Sequence, residues 1–112
     1  MLTQTFRKQL VQRATRDFLD ILVLRLIQIE PLWGYGILKK IEKIFGIPIR
    51  HGALYPLLNS LEAKGFVKSS RVAHGRRVRK VYRITSKGIQ LVDTYYDFLR
   101  DQLQNRDIKE AQ

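Results

Sequence analysis

The chain contains no cysteine, which excludes a disulfide framework and any cysteine-ligated zinc or thiol redox centre. Its two histidines, His51 and His74, lie far apart with no carboxylate at metal-ligand spacing, so no metal and no cofactor is expected. Long apolar runs are also missing. The longest, Ile21 to Ile29, is interrupted by Arg25 and Gln28 and is too short and polar to span a bilayer. The first residues, MLTQTFRKQLVQR, lack the apolar stretch of a secretory signal, and a cytoplasmic location with no membrane partner is expected. No Ser/His/Asp set or carboxylate pair points to catalysis, so the protein is not read as an enzyme. Gly34-Tyr35-Gly36 has neither a preceding strand nor a following Lys-Ser/Thr, which rules out a phosphate loop. Repeats, low-complexity tracts and linkers are absent, and 112 residues fit one domain.

The most telling absence is local. Between Glu62 and Asp93 there is no acid, whereas Lys64, Lys68, Arg71, Arg76, Arg77, Arg79, Lys80, Arg83 and Lys87 fall inside that window. Overall, 21 Lys and Arg against 10 Asp and Glu give a net charge of +11. Such an excess calls for a polyanion, nucleic acid or an anionic membrane. Past Lys87 the balance reverses, with Asp93, Asp97, Asp101, Asp107 and Glu110 dominating. The positive charge therefore belongs to one element.

Periodicity supplies the frame. Leu2, Phe6, Leu10 and Val11 place a short helix or arm over residues 1–14. Phe18, Leu19, Leu22, Leu26 and Ile29 predict a first long helix from about Thr15, its N-cap, to Ile29, stopped by Glu30-Pro31. Leu32-Trp33-Gly34 reads as a turn, with Trp33 a packing residue. A second helix over Tyr35–Phe45 buries Ile37, Leu38, Ile41, Ile44 and Phe45 and stops at Gly46. A third, from about Gly52 to Lys64, buries Leu54, Leu57, Leu58 and Leu61, holds Pro56 in its first turn and ends at Gly65. Phe66–Val72 and Val78–Ile84 then read as two strands around a turn at Ala73-His74-Gly75, with Val78, Tyr82 and Ile84 on one face. A final helix runs from Thr85-Ser86 to about Asn105. Three helices, a hairpin and a long helix describe a mostly α chain with a small β-hairpin, an α+β winged helix-turn-helix. Residues 15–85 form its DNA-binding domain and 86–112 a C-terminal dimerisation helix and tail.

Three groups of residues carry function on this frame. Arg50, His51, Gly52, Ala53, Tyr55, Asn59 and Ser60 lie off the leucine stripe of the third helix, which suits a helix entering the major groove. Small residues there permit close approach, and the free N–H groups of the helix start suit a phosphate. Arg71, His74, Gly75, Arg76, Arg77, Arg79 and Lys80 make a basic hairpin that can follow the DNA backbone and place an Arg in the minor groove. Tyr35 and Lys39 complete the DNA-facing set. On the last helix, Ile89, Val92, Tyr96, Leu99 and Leu103 form one seam and Leu91, Tyr95 and Phe98 a second stripe. One seam can dock on the chain's own domain, and the other asks for a partner. A homodimer is expected, helped by Phe6 and Leu10 of the N-terminal arm.

The motifs GYGILKKI (34–41), GALYPLLNSLEAKGFV (52–67) and GRRVRKVYRITSKG (75–88) together resemble the PadR family of transcriptional regulators. The resemblance spans about Phe18 to Lys87. It implies a homodimeric repressor on an inverted-repeat operator, with Tyr55 at the DNA backbone, the third helix in the major groove and the wing tip at Gly75. It also implies a small aromatic or cationic effector in a cleft between subunits. The last helix lacks the tryptophan that some drug-sensing members use, leaving Tyr95, Tyr96 and Phe98 in its place. One position departs from the pattern: where the family usually reads Gly-Tyr-Glu-Ile, this chain has Gly36. Two alternatives share the frame. A sequence-tolerant architectural DNA binder would bind all duplexes alike, and a protein-interaction adaptor would be indifferent to the wing arginines.

Overall fold

The computed structural model describes residues 3–110. The elements are α1 (Gln4–Asp17), α2 (Leu19–Ile29), β1 (Leu32–Trp33), α3 (Gly34–Phe45), α4 (His51–Ala63), β2 (Val67–His74), β3 (Arg77–Ile84), α5 (Ser86–Leu103) and α6 (Arg106–Glu110). The strands form one antiparallel sheet in the order β1-β3-β2. This is the expected winged helix, with α2, α3 and α4 as its helical core and β2-β3 as the wing. Leu2 of the expected apolar arm lies outside the described residues.

The core explains the order. Along α2, Ile21 to Leu24, Leu26 and Ile27 are all buried, because this helix is covered by α1, α5 and the sheet. Ile37, Leu38 and Ile41 of α3, and Leu54, Leu58 and Leu61 of α4, close on it. Val67, Tyr82 and Val92 seal the sheet and α5 against the same centre. Ile47 is buried in the extended link between α3 and α4 and pins that link down. At the end of α4, Phe66 N–H donates to the Leu61 carbonyl and Gly65 N–H to that of Glu62, the paired bonds of a Schellman stop. Thr85 caps α5 by accepting from Gly88 N–H at 3.1 Å and also donates to the Gly65 carbonyl at 2.7 Å.

Several boundaries differ from the sequence expectation. Thr15 is not an N-cap. It sits in the last turn of α1, where its buried hydroxyl donates to the Val11 carbonyl at 2.7 Å and is unavailable for capping. The chain breaks instead at Phe18, so the arm and the expected first helix are redivided into α1 and α2. Phe18 and Ile29 are exposed, since the covered surface of α2 is broader than a single stripe and leaves its ends outside. Ile44 is exposed for the same reason at the end of α3. Leu32-Trp33 is a strand, not a turn. Two residues cannot display an alternation, and only pairing with Tyr82 and Val81 makes them β. Pro56 is the sixth residue of α4, beyond its first turn. Its missing N–H frees the carbonyl of Gly52, which water can satisfy because both residues are exposed. The hairpin turn is Gly75-Arg76, two residues, with His74 paired to Arg77. Gly75 takes φ 61° while Arg76 stays at negative φ, as a type II′ turn demands. Val78 is exposed on this projecting ribbon rather than buried. Finally, α5 ends at Leu103, and Asn105 (φ 56°) turns the chain into α6.

Candidate nucleic-acid interface

One edge of the molecule gathers residues from α3, α4, β1 and β3. At the start of α4, no side chain caps the helix, so its first N–H groups face outward. Arg50, His51, Gly52, Ala53, Tyr55 and Asn59 are all exposed there. His51 and Tyr55 stack with centroids 5.6 Å apart and planes 11° from parallel. The Tyr55 ring lies over Gly34, where a β-carbon would come within 2.8 Å of its hydroxyl oxygen. That contact couples α4 to the start of α3. From Gly34 the aromatic strip continues through Trp33 and Tyr35, 5.3 Å apart. Lys39 Nζ stands 5.3 Å from the Tyr35 ring. Its pKa is held above the ordinary lysine value, first by a side-chain hydrogen bond with Tyr35 and also by the nearby Glu42 carboxylate.

The wing adjoins this strip. Residues 70–78 are exposed without exception. Cross-strand register places Lys68 opposite Arg83 and Arg71 opposite Lys80. Like charges directly opposite are destabilising in a sheet, so the ribbon carries a self-repulsion that a bound polyanion would relieve. Arg76 and Arg77 lie at the tip and Arg79 and Lys80 at the base. The wing is anchored by a residue not singled out in the sequence. Glu62, near the end of α4, accepts from the Ser69 hydroxyl and pairs with Lys80 at 3.5 Å. The hydrogen bond from Ser69, more than the charge of Lys80, holds the Glu62 carboxyl below its ordinary range. A depressed carboxylate pKa contributes stability above the unfolded value, near 4.5, that is lost as pH falls through the folded value. Glu62→Gln should therefore lower the melting temperature at pH 7 and leave it unchanged at pH 3. Equal losses at both pH values would show that the carboxylate charge does not hold the wing.

The expected dimer residues are placed unequally. Phe6 and Leu10 of α1 are exposed, as are Tyr96, Phe98 and Leu103 of α5. Ile89, Tyr95 and Leu99 are half-buried, and Tyr95 packs on Phe18 at 5.4 Å. Val92 is fully enclosed in the chain's own core and offers a partner nothing. The division cuts across both predicted stripes, because Gly88, Leu91, Val92 and Tyr95 face the domain while the last turns of α5 run past it. The molecule is correspondingly elongated, 58 × 34 × 21 Å. Among the described residues, no group of three or more His, Cys, Asp or Glu could hold a metal ion. No described helix is long and apolar enough to cross a membrane.

The sequence model of the PadR-like transcriptional regulators matches residues 23–93. No curated protein matches the chain significantly. Among solved structures, a PadR family transcriptional regulator from Eggerthella lenta is 31% identical, with 90% of this chain and 91% of that one covered and a TM-score of 0.70. A transcriptional regulator from Clostridium thermocellum is 26% identical over 84% of this chain and 96% of its own, with TM-score 0.70. Bacillus subtilis PadR, solved in complex with operator DNA, is 26% identical over 70% of this chain and 46% of its own, with TM-score 0.65.

Proposed function

The chain belongs to the PadR-like family of transcriptional regulators, and from that premise we propose that it is a homodimeric repressor that binds an inverted-repeat operator through α4 and the wing. The observation that carries this reading is the meeting of two features on one edge. The uncapped, exposed start of α4 lies beside an acid-free ribbon whose cross-strand pairs repel each other. A helix N-terminus and a basic ribbon are complementary to phosphates, and in this reading the exposed Tyr55 and Asn59 would meet the backbone and a base edge. No lysine or arginine stands on α4 itself, so in this reading the wing supplies affinity and α4 the choice of sequence.

In this reading the exposed Phe6 and Leu10 of α1 and Tyr96, Phe98 and Leu103 of α5, with the half-buried Leu99, would cover one another across a two-fold axis. An aromatic or cationic effector would lie against Tyr95, Tyr96 and Phe98 in the cleft between protomers. Occlusion of a promoter would make the protein a repressor.

Selection of bound fragments from a random duplex pool tests the proposal. The expected product is a palindrome with half-sites about 10 bp apart or a multiple of that spacing. Affinity should fall about a thousandfold between 50 and 200 mM salt if six or more phosphates are neutralised. Sedimentation should give twice the 13.2 kDa chain mass. Equal affinity for selected and random duplexes would instead support an architectural, sequence-tolerant binder. Salt-independent affinity would remove the phosphate grip altogether.

A further inference from the structure

Arg79 is held differently from the other wing cations. Its guanidinium carbon lies 3.7 Å from the centroid of the Trp33 ring. Register explains the meeting: Trp33 pairs with Val81, so Arg79 is its diagonal neighbour on the same face of β3. Stacking on an indole fixes the plane of a guanidinium and leaves its edge free for hydrogen bonds. The indole is itself supported. At Gly36, a β-carbon would come within 2.8 Å of Trp33 Cδ1 and 2.9 Å of its Nε1. Any side chain there would displace the ring. The departure from the family's Gly-Tyr-Glu-Ile pattern thus makes room for the surface on which Arg79 rests.

Trp33, Tyr55, Asn59, Arg77, Arg79 and Lys80 line a groove of about 280 Å³ between α4 and the base of the wing. No carboxylate lines it. The ion pairs among the described residues are Lys40 with Glu30, Lys80 with Glu62 and Arg100 with Asp97, and none includes Arg79. Arg79 Nε is buried and has no hydrogen-bond partner among the described residues. A buried donor without an acceptor is costly and rare, the more so on a charged group. That enclosed Nε fixes how the guanidinium is seated, and an oxyanion in the groove would take its bonds from the terminal N–H groups, with Tyr55 as a neutral donor on the opposite wall.

We propose that this groove is a preset site for one phosphodiester oxyanion of the DNA backbone, clamped between Arg79 on its Trp33 platform and the Tyr55 side of α4. The site rests on the DNA-binding reading above and gives it a register point. Arg79 grips a particular phosphate, whereas the tip arginines act through charge. Trp33 is a positioning residue for that grip.

Trp33 is the chain's single tryptophan, so its emission reports the site directly. The full chain is titrated with a labelled duplex, following label anisotropy and Trp33 emission together. Both signals should change over the same concentrations. Arg79→Lys and Trp33→Phe keep the net charge, so general electrostatics leaves their affinity unchanged. The proposal instead expects Arg79→Lys to bind about tenfold more weakly at 0.1 M salt and to lose the emission change. Trp33→Phe, which keeps a smaller ring under Arg79, should fall between it and the parent, and circular dichroism melts should show both variants folded. Normal anisotropy with unaltered Trp33 emission and an Arg79→Lys variant of parental affinity would overturn the phosphate site while leaving DNA binding intact. No anisotropy change with any duplex would overturn both. Inorganic phosphate that shifts Trp33 emission without competing with duplex would assign the groove to a small free anion and overturn the backbone assignment.

Discussion

Arg76→Glu with Arg77→Glu lowers affinity for duplex DNA by more than about a hundredfold at 0.1 M salt. The size follows from counterion release. Each phosphate neutralised contributes a slope of about 0.9 in log affinity against log salt, or roughly eightfold over the decade from 1 to 0.1 M. Releasing two such phosphates accounts for about sixtyfold, and two carboxylates facing phosphates add repulsion. The slope itself should fall by about two. Both arginines are exposed at the wing tip, where substitutions cost little stability, so the melting temperature should hold. Lys109→Glu, on the exposed α6, alters the net charge without touching the wing and should change affinity by less than about twofold, since exposed charges beyond a Debye length are screened. Fluorescence anisotropy over a salt series measures all three. A double tip variant with parental affinity would mean that the acid-free ribbon protects a sheet edge and does not grip DNA.

Much of this frame is legible because local rules decide it. The leucines of α4, the Gly46 and Gly65 stops and the Thr85 cap each follow from spacing or backbone conformation within a few residues. The acid-free window locates the wing without any structure. What escapes is whatever distant pairing decides. Leu32-Trp33 is too short to show a period and becomes β1 only against β3. The helix break at Phe18 is hidden because Thr15 is a plausible cap and the apolar rhythm runs on through it. The last helix shows two apolar stripes but not where it leaves the domain, which is what decides that Val92 is enclosed and Phe98 is not. Asn105 did carry a signal, since asparagine tolerates the left-handed turn that ends α5. Gly36 is the instructive position. Its departure from the family pattern is visible in the sequence, yet its reason lies in an indole three residues earlier and an arginine 43 residues later that share one stack.

Gly88→Ala should destabilise the protein by about 3 kcal/mol or more, the upper range for forcing atoms into a packed site. A β-carbon at Gly88 would stand 2.3 Å from the Phe66 carbonyl oxygen and 2.7 Å from Ile84 Cγ1. The first obstacle is backbone and cannot rotate away. That carbonyl also accepts from Thr85 N–H at 3.1 Å, and Gly88 N–H donates to the Thr85 hydroxyl that caps α5. Relieving the clash therefore pulls α5 off the end of β2, loosens the cap and reopens the core at Val92. For a domain of this size the melting temperature should drop by roughly 10–20 °C, measured at fixed protein concentration because the melting of the proposed dimer would depend on it. Gly52→Ala is the matched comparison, because it makes the same chemical change at another helical glycine with nothing within 4 Å of the new β-carbon. There alanine's higher helix propensity should stabilise by about 0.5–1 kcal/mol. The methyl group nevertheless points from the exposed start of α4, where DNA is to approach, so affinity should fall as stability rises. If Gly52→Ala bound duplex as tightly as the parent chain, the start of α4 would not lie against DNA. A Gly88→Ala variant as stable as its parent would mean that α5 does not dock through its first turn.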